Sequence, residues 1–321
     1  MKPVDLSIVV PVYNSEATIG TLVKEMSEEF EGKYEYDFVL INDGSQDRSY
    51  EVCKKMALEN RRVKFISLSK NFGQINAIMA GFHEANGRII IVMDDDLQNP
   101  PKEAYKLLKK INEGYDFVYG KPKIHMKQTW FRKVASYLST KMAEIVFAKP
   151  KGLYPSSYYA ITQDVVKEII KYTGPFPYMT GLVVRVTRNG CNVPVEHHSR
   201  RYGKSGYSPG KLFLHLLNGL TNFSVLPLRI SSVAGAVVAI IGFIYLAVIV
   251  AQRLLNPEIY TLGWTSVIGL IMLFSGIQLL ALGIIGEYVG RIFLVVNKTP
   301  QFSIRETFNC TKISRGKGDR V

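Results

Sequence analysis

Residues 88–101 read RIIIVMDDDLQNPP, and the step from an apolar run (89–93) to three successive aspartates is the feature around which the chain is organised. A near-continuous apolar run of this length is the pattern of a strand buried on both faces of a parallel sheet, whose carboxyl end builds the sites of α/β folds. Residues 89–93 are therefore expected as a strand, with Asp94, Asp95 and Asp96 at its tip. Adjacent carboxylates repel one another unless a cation or water screens them. Hard oxygen ligands of this kind suit Mg2+ or Mn2+ bridging to a phosphate. A solvated acidic turn is the plainer alternative; the position directly after an apolar strand favours the metal.

On either side the sequence alternates strand and helix. Residues 6–12 form a β-branched run ending in Pro11-Val12-Tyr13-Asn14, and 17–30 carry helical spacing at Ile19, Leu22, Val23 and Met26. Strands are expected at 36–41, 63–68, 117–119 and 191–196, and helices at 49–60, 72–85 and 102–112. Such alternation predicts an α/β fold with right-handed crossovers and a mostly parallel, Rossmann-like sheet covered on both faces. Three strand ends carry polar turns, Tyr13-Asn14, Asp43-Gly44-Ser45 and residues 94–98. In a parallel arrangement these converge on one sheet edge, where an open α/β sheet binds its ligand. Asp43 alone could cap a helix or make an Asx-turn, and for Ser45 and Asp47 that reading is preferred. No GxGxxG follows the first strand and no GxxxxGK[ST] occurs anywhere, which disfavours nicotinamide cofactors and P-loop chemistry.

Past about residue 225 the composition changes. Residues 230–251 and 262–285 are two runs without a formal charge, each long enough to cross a hydrocarbon core, and the second is rich in small residues suited to close helix contact. Lys and Arg are dense before Arg229 and after Gly290, so both ends are expected in the cytoplasm. The net charge of +13 points to an anionic partner. No nucleic-acid-binding signature is present, so membrane lipids or lipid phosphates are the expected partners and nucleic acid is not. Three isolated cysteines offer neither a disulfide framework nor a zinc spacing. The N-terminus lacks a signal-peptide pattern, so insertion is expected to rely on the later runs. Sequons at Asn222, Asn297 and Asn309 would face the cytoplasm.

Residues 121–151 are basic and aromatic, with apolar positions near helical spacing, fitting a helix on the protein or on the membrane surface. The loop HHSRRYGKSGY at 197–207 brings Arg200, Arg201, Lys204, Ser205 and Tyr207 together as cationic forks and hydroxyls suited to a phosphate. The expected organisation is a cytoplasmic α/β domain at 1–210, an interfacial helix at 211–228, a two-span hairpin at 229–290 and a cytoplasmic tail at 291–321.

With these residues together, the chain resembles the family 2 glycosyltransferases of GT-A fold, specifically the membrane-anchored polyprenyl-phosphate glycosyltransferases. Those include bactoprenol-phosphate glucosyltransferases, undecaprenyl-phosphate aminoarabinose-type transferases and dolichol-phosphate mannose synthases. The resemblance is carried, in the family's order, by SIVVPVYN, VLINDGSQDRS, LSKNFGQINAIMAGF, MDDDLQNPP, RRYGKSGYSPGKL, NFSVLPLR and a second span ending GEYVGRIF. It implies a metal-dependent enzyme that transfers a monosaccharide with inversion from a nucleotide sugar, expected to be a UDP-sugar, to undecaprenyl phosphate at the bacterial inner membrane, for envelope glycans. Asp94, Asp96 and Gln98 fall on the metal site and Asp43 on the residue that reads the base, with Pro11, Tyr13 and Asn14 lining the same pocket. Arg201, Ser205 and Lys211 fall on the acceptor-side loop. Asp95 is left as a carboxylate to orient sugar or acceptor, so the catalytic set is Asp95, Asp96 and Arg201. A phosphate acceptor is already an anionic nucleophile and needs little general-base help. The family also permits a homo-oligomer.

One segment departs from the family pattern. Where many relatives carry a GDFRL-like stretch, this chain has Ser156-Ser157-Tyr158-Tyr159-Ala160, without the acidic and basic side chains, and Asn99 replaces an acidic residue after DLQ. Two other readings compete. A processive polysaccharide synthase would carry QxxRW, whereas QTWFR at 128–132 has the wrong order. A non-catalytic scaffold or flippase component would leave three converging carboxylates as a cost without a ligand.

Overall fold

The structure is a computed structural model and describes residues 4–123, 150, 152–198, 226–255 and 264–312. The chain divides into two compact units, Met1–Lys211 with Lys298–Val321, and Leu212–Asn297.

The first unit is built on one eight-stranded sheet in the order β7-β5-β6-β4-β1-β2-β3-β8. Strands β1 (Leu6–Val12), β2 (Tyr36–Asn42) and β3 (Val63–Leu68) run parallel and alternate with helices α1 (Ile19–Phe30), α2 (Ser49–Glu59) and α3 (Gln74–Glu84). All residues of β1, β2 and β3 are buried, as their apolar runs require. Helix α1 turns Ile19, Leu22, Val23, Met26 and Phe30 inward, the three- and four-residue spacing of a helix with one apolar stripe. The chain then crosses to the other side of β1, where β4 (Ile89–Val92) pairs parallel in the register Leu6↔Ile89 to Val9↔Val92. This reversal makes the carboxyl end of the β1–β4 pair the switch point of the sheet, the place where open α/β sheets open a crevice.

Beyond β4 the alternation gives way to a mixed sheet. A single 3-10 turn (Pro101–Glu103) leads into α4 (Ala104–Asn112), then β5 (Phe117–Pro122), β6 (Tyr159–Thr162), α5 (Gln163–Ile169), α6 (Met179–Val186) and β7 (Gly190–Val195). Strand β6 inserts antiparallel between β4 and β5, and β7 pairs parallel with β5. The amphipathic helix expected at 121–151 lies almost wholly outside the described residues.

Within the expected tail at 291–321, the segment from Lys298 belongs to the first unit. Residues Ile304–Phe308 form β8, antiparallel to the edge of β3. An edge strand otherwise presents a row of unpaired donors and acceptors, and β8 covers it. The side chain of Asn309, at φ 56°, donates through Nδ2 to the carbonyls of Ala57 and Val63. Thr311 and Lys312 donate backbone N–H groups to the two oxygens of the buried Glu84 carboxylate. Glu84 in turn lies 3.6 Å from Lys64 Nζ, which contacts Asp37 at 2.8 Å, and Asp37 accepts from Ser7 Oγ. A buried cation is tolerable only when compensated in this way.

The second unit contains two long helices, α7 (Leu226–Leu255) and α8 (Trp264–Val296). The helix that carries the apolar run at 262–285 continues past it, through Glu287 and Arg291, to Val296. Among the described residues one stretch, Phe274–Val296, is long and apolar enough to cross a membrane, with mean hydropathy 2.0; Ser231–Gly242 is a shorter apolar stretch. Large apolar side chains are exposed along both helices, among them Ile241, Ile244, Leu279, Leu282 and Phe293.

Candidate active site

The polar tips of β1, β2 and β4 meet at the switch point. In β1, the carbonyl of Val9 accepts from the amide of Met93 while that of Val12 accepts from the amide of Asp43. Residues 9 and 11 therefore face β4 and residue 12 faces β2. Pro11, which has no N–H, sits where the β1–β4 ladder has just ended at Val9↔Val92, so no ladder bond is lost and the two strand tips separate. Tyr13 follows, 46% exposed, and Asn14 adopts φ 54°, turning the chain sharply away from the strand.

Asn14 ties β1 to the loop after β2: its amide donates to Ser45 Oγ at 3.1 Å and its Oδ1 accepts from the Gln46 amide at 2.8 Å. Asp47 accepts from the Glu16 and Ser49 amides, a loop and helix-start role. Asp43 is 3% exposed and accepts from the amides of Phe72 at 2.7 Å and Gly73 at 2.9 Å, one on each oxygen. Burial pushes its carboxyl above the usual carboxylate range and these two bonds oppose the rise. Gly44, at φ 67°, lies against the Lys70–Asn71 backbone so closely that a Cβ would stand 2.5 Å from the Asn71 nitrogen. Asp43 and Gly44 thus clasp residues 70–73 against the β2 tip. Asp43 does cap backbone donors, but those preceding α3 rather than those of the helix that follows it in sequence.

At the β4 tip the three aspartates diverge. Asp94 accepts from Gln74 Nε2 at 2.6 Å and from Ser157 Oγ at 2.5 Å, on different oxygens. Asp95 turns to β1, accepting at Oδ2 from the Tyr13 amide at 3.1 Å and Ser15 Oγ at 2.5 Å. Burial is the largest influence on Asp95 and, with the charges of Asp94 and Asp96, outweighs those two bonds, so its carboxyl is pushed up to about 6. Asp96 accepts from the Gln98 amide at 3.2 Å. Leu97 between them has φ 60°, a left-handed conformation that a bulky residue adopts only when its surroundings impose it. The turn delivers Gln98 to the 197–198 segment: Gln98 Nε2 donates to the His198 carbonyl at 3.0 Å and the His198 amide donates to the Gln98 carbonyl at 2.8 Å. Arg201, Ser205 and Lys211 lie outside the described residues.

Asp94, Asp96 and Gln98 offer two carboxylates and an amide at one strand tip. Among the described residues no group of three or more His, Cys, Asp or Glu side chains is placed to hold a metal ion. That donor set fits Mg2+ or Mn2+, which are held by one or two carboxylates and complete their shell with water and substrate phosphates. It does not fit a closed structural site.

Comparison with known proteins gives the family. The family model for glycosyl transferase family 2 matches residues 7–170, from the start of β1 through β6 and α5. The chain belongs to glycosyl transferase family 2. It is a glycosyltransferase, similar along its whole length to others. The undecaprenyl-phosphate 4-deoxy-4-formamido-L-arabinose transferase of Proteus mirabilis is 32% identical over 97% of this chain and 96% of its own. A glycosyltransferase of Bacillus subtilis, YkcC, is 33% identical over 96% of this chain and 95% of its own. In fold, the family 2 unit is similar to glucosyl-3-phosphoglycerate synthase from Mycobacterium tuberculosis, solved with Mn2+, UDP-glucose and phosphoglyceric acid. The TM-score is 0.51 at 15% identity, over 68% of this chain and 78% of that one.

Sequence reasoning did not single out Gln74, Ser15 or Ser157 as partners of the aspartates, nor His198 as the partner of Gln98. Gln74 lies in a stretch that carries the family resemblance and Ser157 in the segment that departs from it, so both were visible as positions but not as contacts.

Proposed function

We propose that this glycosyltransferase transfers a monosaccharide, with inversion, from a UDP-sugar to a polyprenyl phosphate such as undecaprenyl phosphate on the cytoplasmic leaflet of the bacterial inner membrane. The observation that carries the reading is the meeting of Asp43, Asp94, Asp95 and Asp96 at the β1–β4 switch point, in a chain with end-to-end similarity to a named undecaprenyl-phosphate sugar transferase.

In this reading Tyr13, Asn14 and the clasp formed by Asp43 with residues 70–73 receive the nucleoside, and Asp95 holds the β1 loop to the β4 tip. Asp94 and Asp96, with Gln98, would hold Mg2+ or Mn2+. When bound, that ion supplies neutralisation of the charge that builds on the departing diphosphate. The acceptor phosphate oxygen forms its bond to the anomeric carbon as the bond to the nucleoside diphosphate breaks, so the configuration inverts. An ionised phosphate needs no proton removed before it attacks. Arg201, Ser205 and Lys211 are proposed to hold that phosphate; their loop leaves the described fold at His198, which is bonded to Gln98. The UDP donor matches what the structurally similar synthase holds with Mn2+.

The exposed apolar surfaces of α7 and α8 favour two membrane spans, with both chain ends on the cytoplasmic side, because lipid would cover side chains that water would not. A homo-oligomer fits the small residues on those helices. The test is incubation of the purified full chain with Mn2+ or Mg2+, undecaprenyl phosphate and a panel of nucleotide sugars, with mass spectrometry of the lipid fraction. A lipid-linked monosaccharide from one donor supports the reading. No product from any donor, together with no metal-dependent UDP binding, would remove it.

A further inference from the structure

Asp94 differs from its two neighbours in how it is held. Its two oxygens accept from neutral side-chain donors on two separate elements, Gln74 Nε2 at the first turn of α3 and Ser157 Oγ on the segment entering β6. The second contact follows from strand register. Strand β6 runs antiparallel to β4 with Val92 opposite Tyr159, so continuing that register two residues past the end of β4 and two before the start of β6 brings Asp94 to Ser157. Ser157 belongs to a loop that is itself pinned: Asn192 on β7 accepts from the Tyr154 amide at 2.9 Å and donates to the Tyr154 carbonyl at 2.8 Å. Gln74 is equally constrained, because the turn before it is clasped by Asp43.

We propose that Gln74 and Ser157 are positioning residues that clamp the Asp94 carboxylate in one orientation for a divalent cation and the diphosphate it would bridge. A carboxylate has about four lone-pair sites, so these two hydrogen bonds do not by themselves prevent it from ligating a cation. Both donors are uncharged, so they orient the carboxylate without neutralising it or adding a further acid to a tip that already holds three. Hydrogen bonds from surrounding groups to ligating carboxylates are worth on the order of 10- to 100-fold in metal affinity. The segment around Ser157 is also where this chain departs from the family pattern, whereas Gln74 lies in a stretch that carries the resemblance. The inference rests on the nucleotide-sugar reading given above.

The experiment measures Mn2+ binding by the full chain in lipid nanodiscs, following loss of the free-ion electron paramagnetic resonance signal with and without UDP. Ser157→Ala and Gln74→Leu should each weaken Mn2+ binding in the presence of UDP by on the order of 10-fold. Ser157→Thr, which keeps the hydroxyl, should restore affinity close to the parent. In turnover, the two disruptive variants should raise KM for the nucleotide sugar and leave KM for the lipid unchanged. Parent-like Mn2+ affinity in Ser157→Ala and Gln74→Leu, or a Ser157→Thr variant no better than the alanine, would overturn the clamp while leaving the nucleotide-sugar reading intact. Failure of the parent chain itself to bind Mn2+ with UDP would overturn both.

Discussion

At the scale of single residues, the three aspartates that read as one acidic run have three separate surroundings. Asp94 is held by α3 and the β6 approach, Asp95 by the β1 loop, and Asp96 by its own turn. For Asp95 this predicts a divided outcome. Asp95→Asn keeps an oxygen able to accept from Tyr13 and Ser15, and should retain donor KM. Asp95→Ala releases the β1 loop and should raise donor KM by on the order of 10-fold, as for loss of a positioning contact near a metal site. Steady-state kinetics with the nucleotide sugar varied would check this, and equal losses in both variants would instead give Asp95 a role that needs its charge. Asp43→Ala leaves the half-buried Phe72 and Gly73 amides without their acceptor, which costs about 1 kcal/mol for each hydrogen bond lost. A thermal unfolding midpoint lowered by several degrees is expected. The acidic triplet was legible in the sequence because its residues are adjacent. Its partners were not, because Gln74 and Ser157 reach Asp94 across sequence separations of 20 and 63 residues.

Among the elements, the first four strands and α1 to α4 were legible, since each carries a buried apolar run or stripe. Strands β6 and β8 were not. Tyr159–Thr162 is four residues long, and Ile304–Phe308 contains Arg305 and Glu306 and lies at a sheet edge, where alternating polarity carries little signal. The C-terminal arm nevertheless sets measurable properties. His83 on α3 packs edge-on against Phe302 with ring centroids 6.0 Å apart, and burial, then the nearby Lys312 charge, hold its pKa below the usual 6.5. A depressed histidine contributes stability that is present above its unfolded pKa and lost as pH falls through the folded one. Stability should therefore decline below about pH 6.5. His83→Phe should flatten that decline, checked by unfolding midpoints across pH 5 to pH 8, a window on the order of the histidine range. Asn309 supplies a second test. Asn309→Gly keeps the left-handed backbone but loses the bonds to Ala57 and Val63, whereas Asn309→Ala loses both. Alanine should be the more destabilising by about 1 kcal/mol.

For the whole molecule, an α/β stretch and an apolar one are distinguishable in the sequence because their compositions differ, and the chain forms two compact units, Met1–Lys211 with Lys298–Val321, and Leu212–Asn297. What composition could not show is that the α/β unit is assembled from both ends of the chain, with residues after 298 completing the sheet. Deleting residues 298–321 should expose the β3 edge and leave Glu84 without the three donors from Thr311 and Lys312, giving aggregation of the α/β unit rather than a merely shortened protein. Size-exclusion chromatography in detergent would check it. In the proposed reaction the sugar leaves a diphosphate at the aspartates and joins the phosphate of a membrane lipid. The most direct measurement is metal-dependent transfer of labelled sugar to undecaprenyl phosphate by the parent chain and by Asp96→Ala, with matched thermal midpoints as the control for folding. A parent that forms the lipid-linked sugar, and a variant reduced by on the order of 100-fold or more, is the predicted result. An Asp96→Ala enzyme that is folded and fully active would contradict the account.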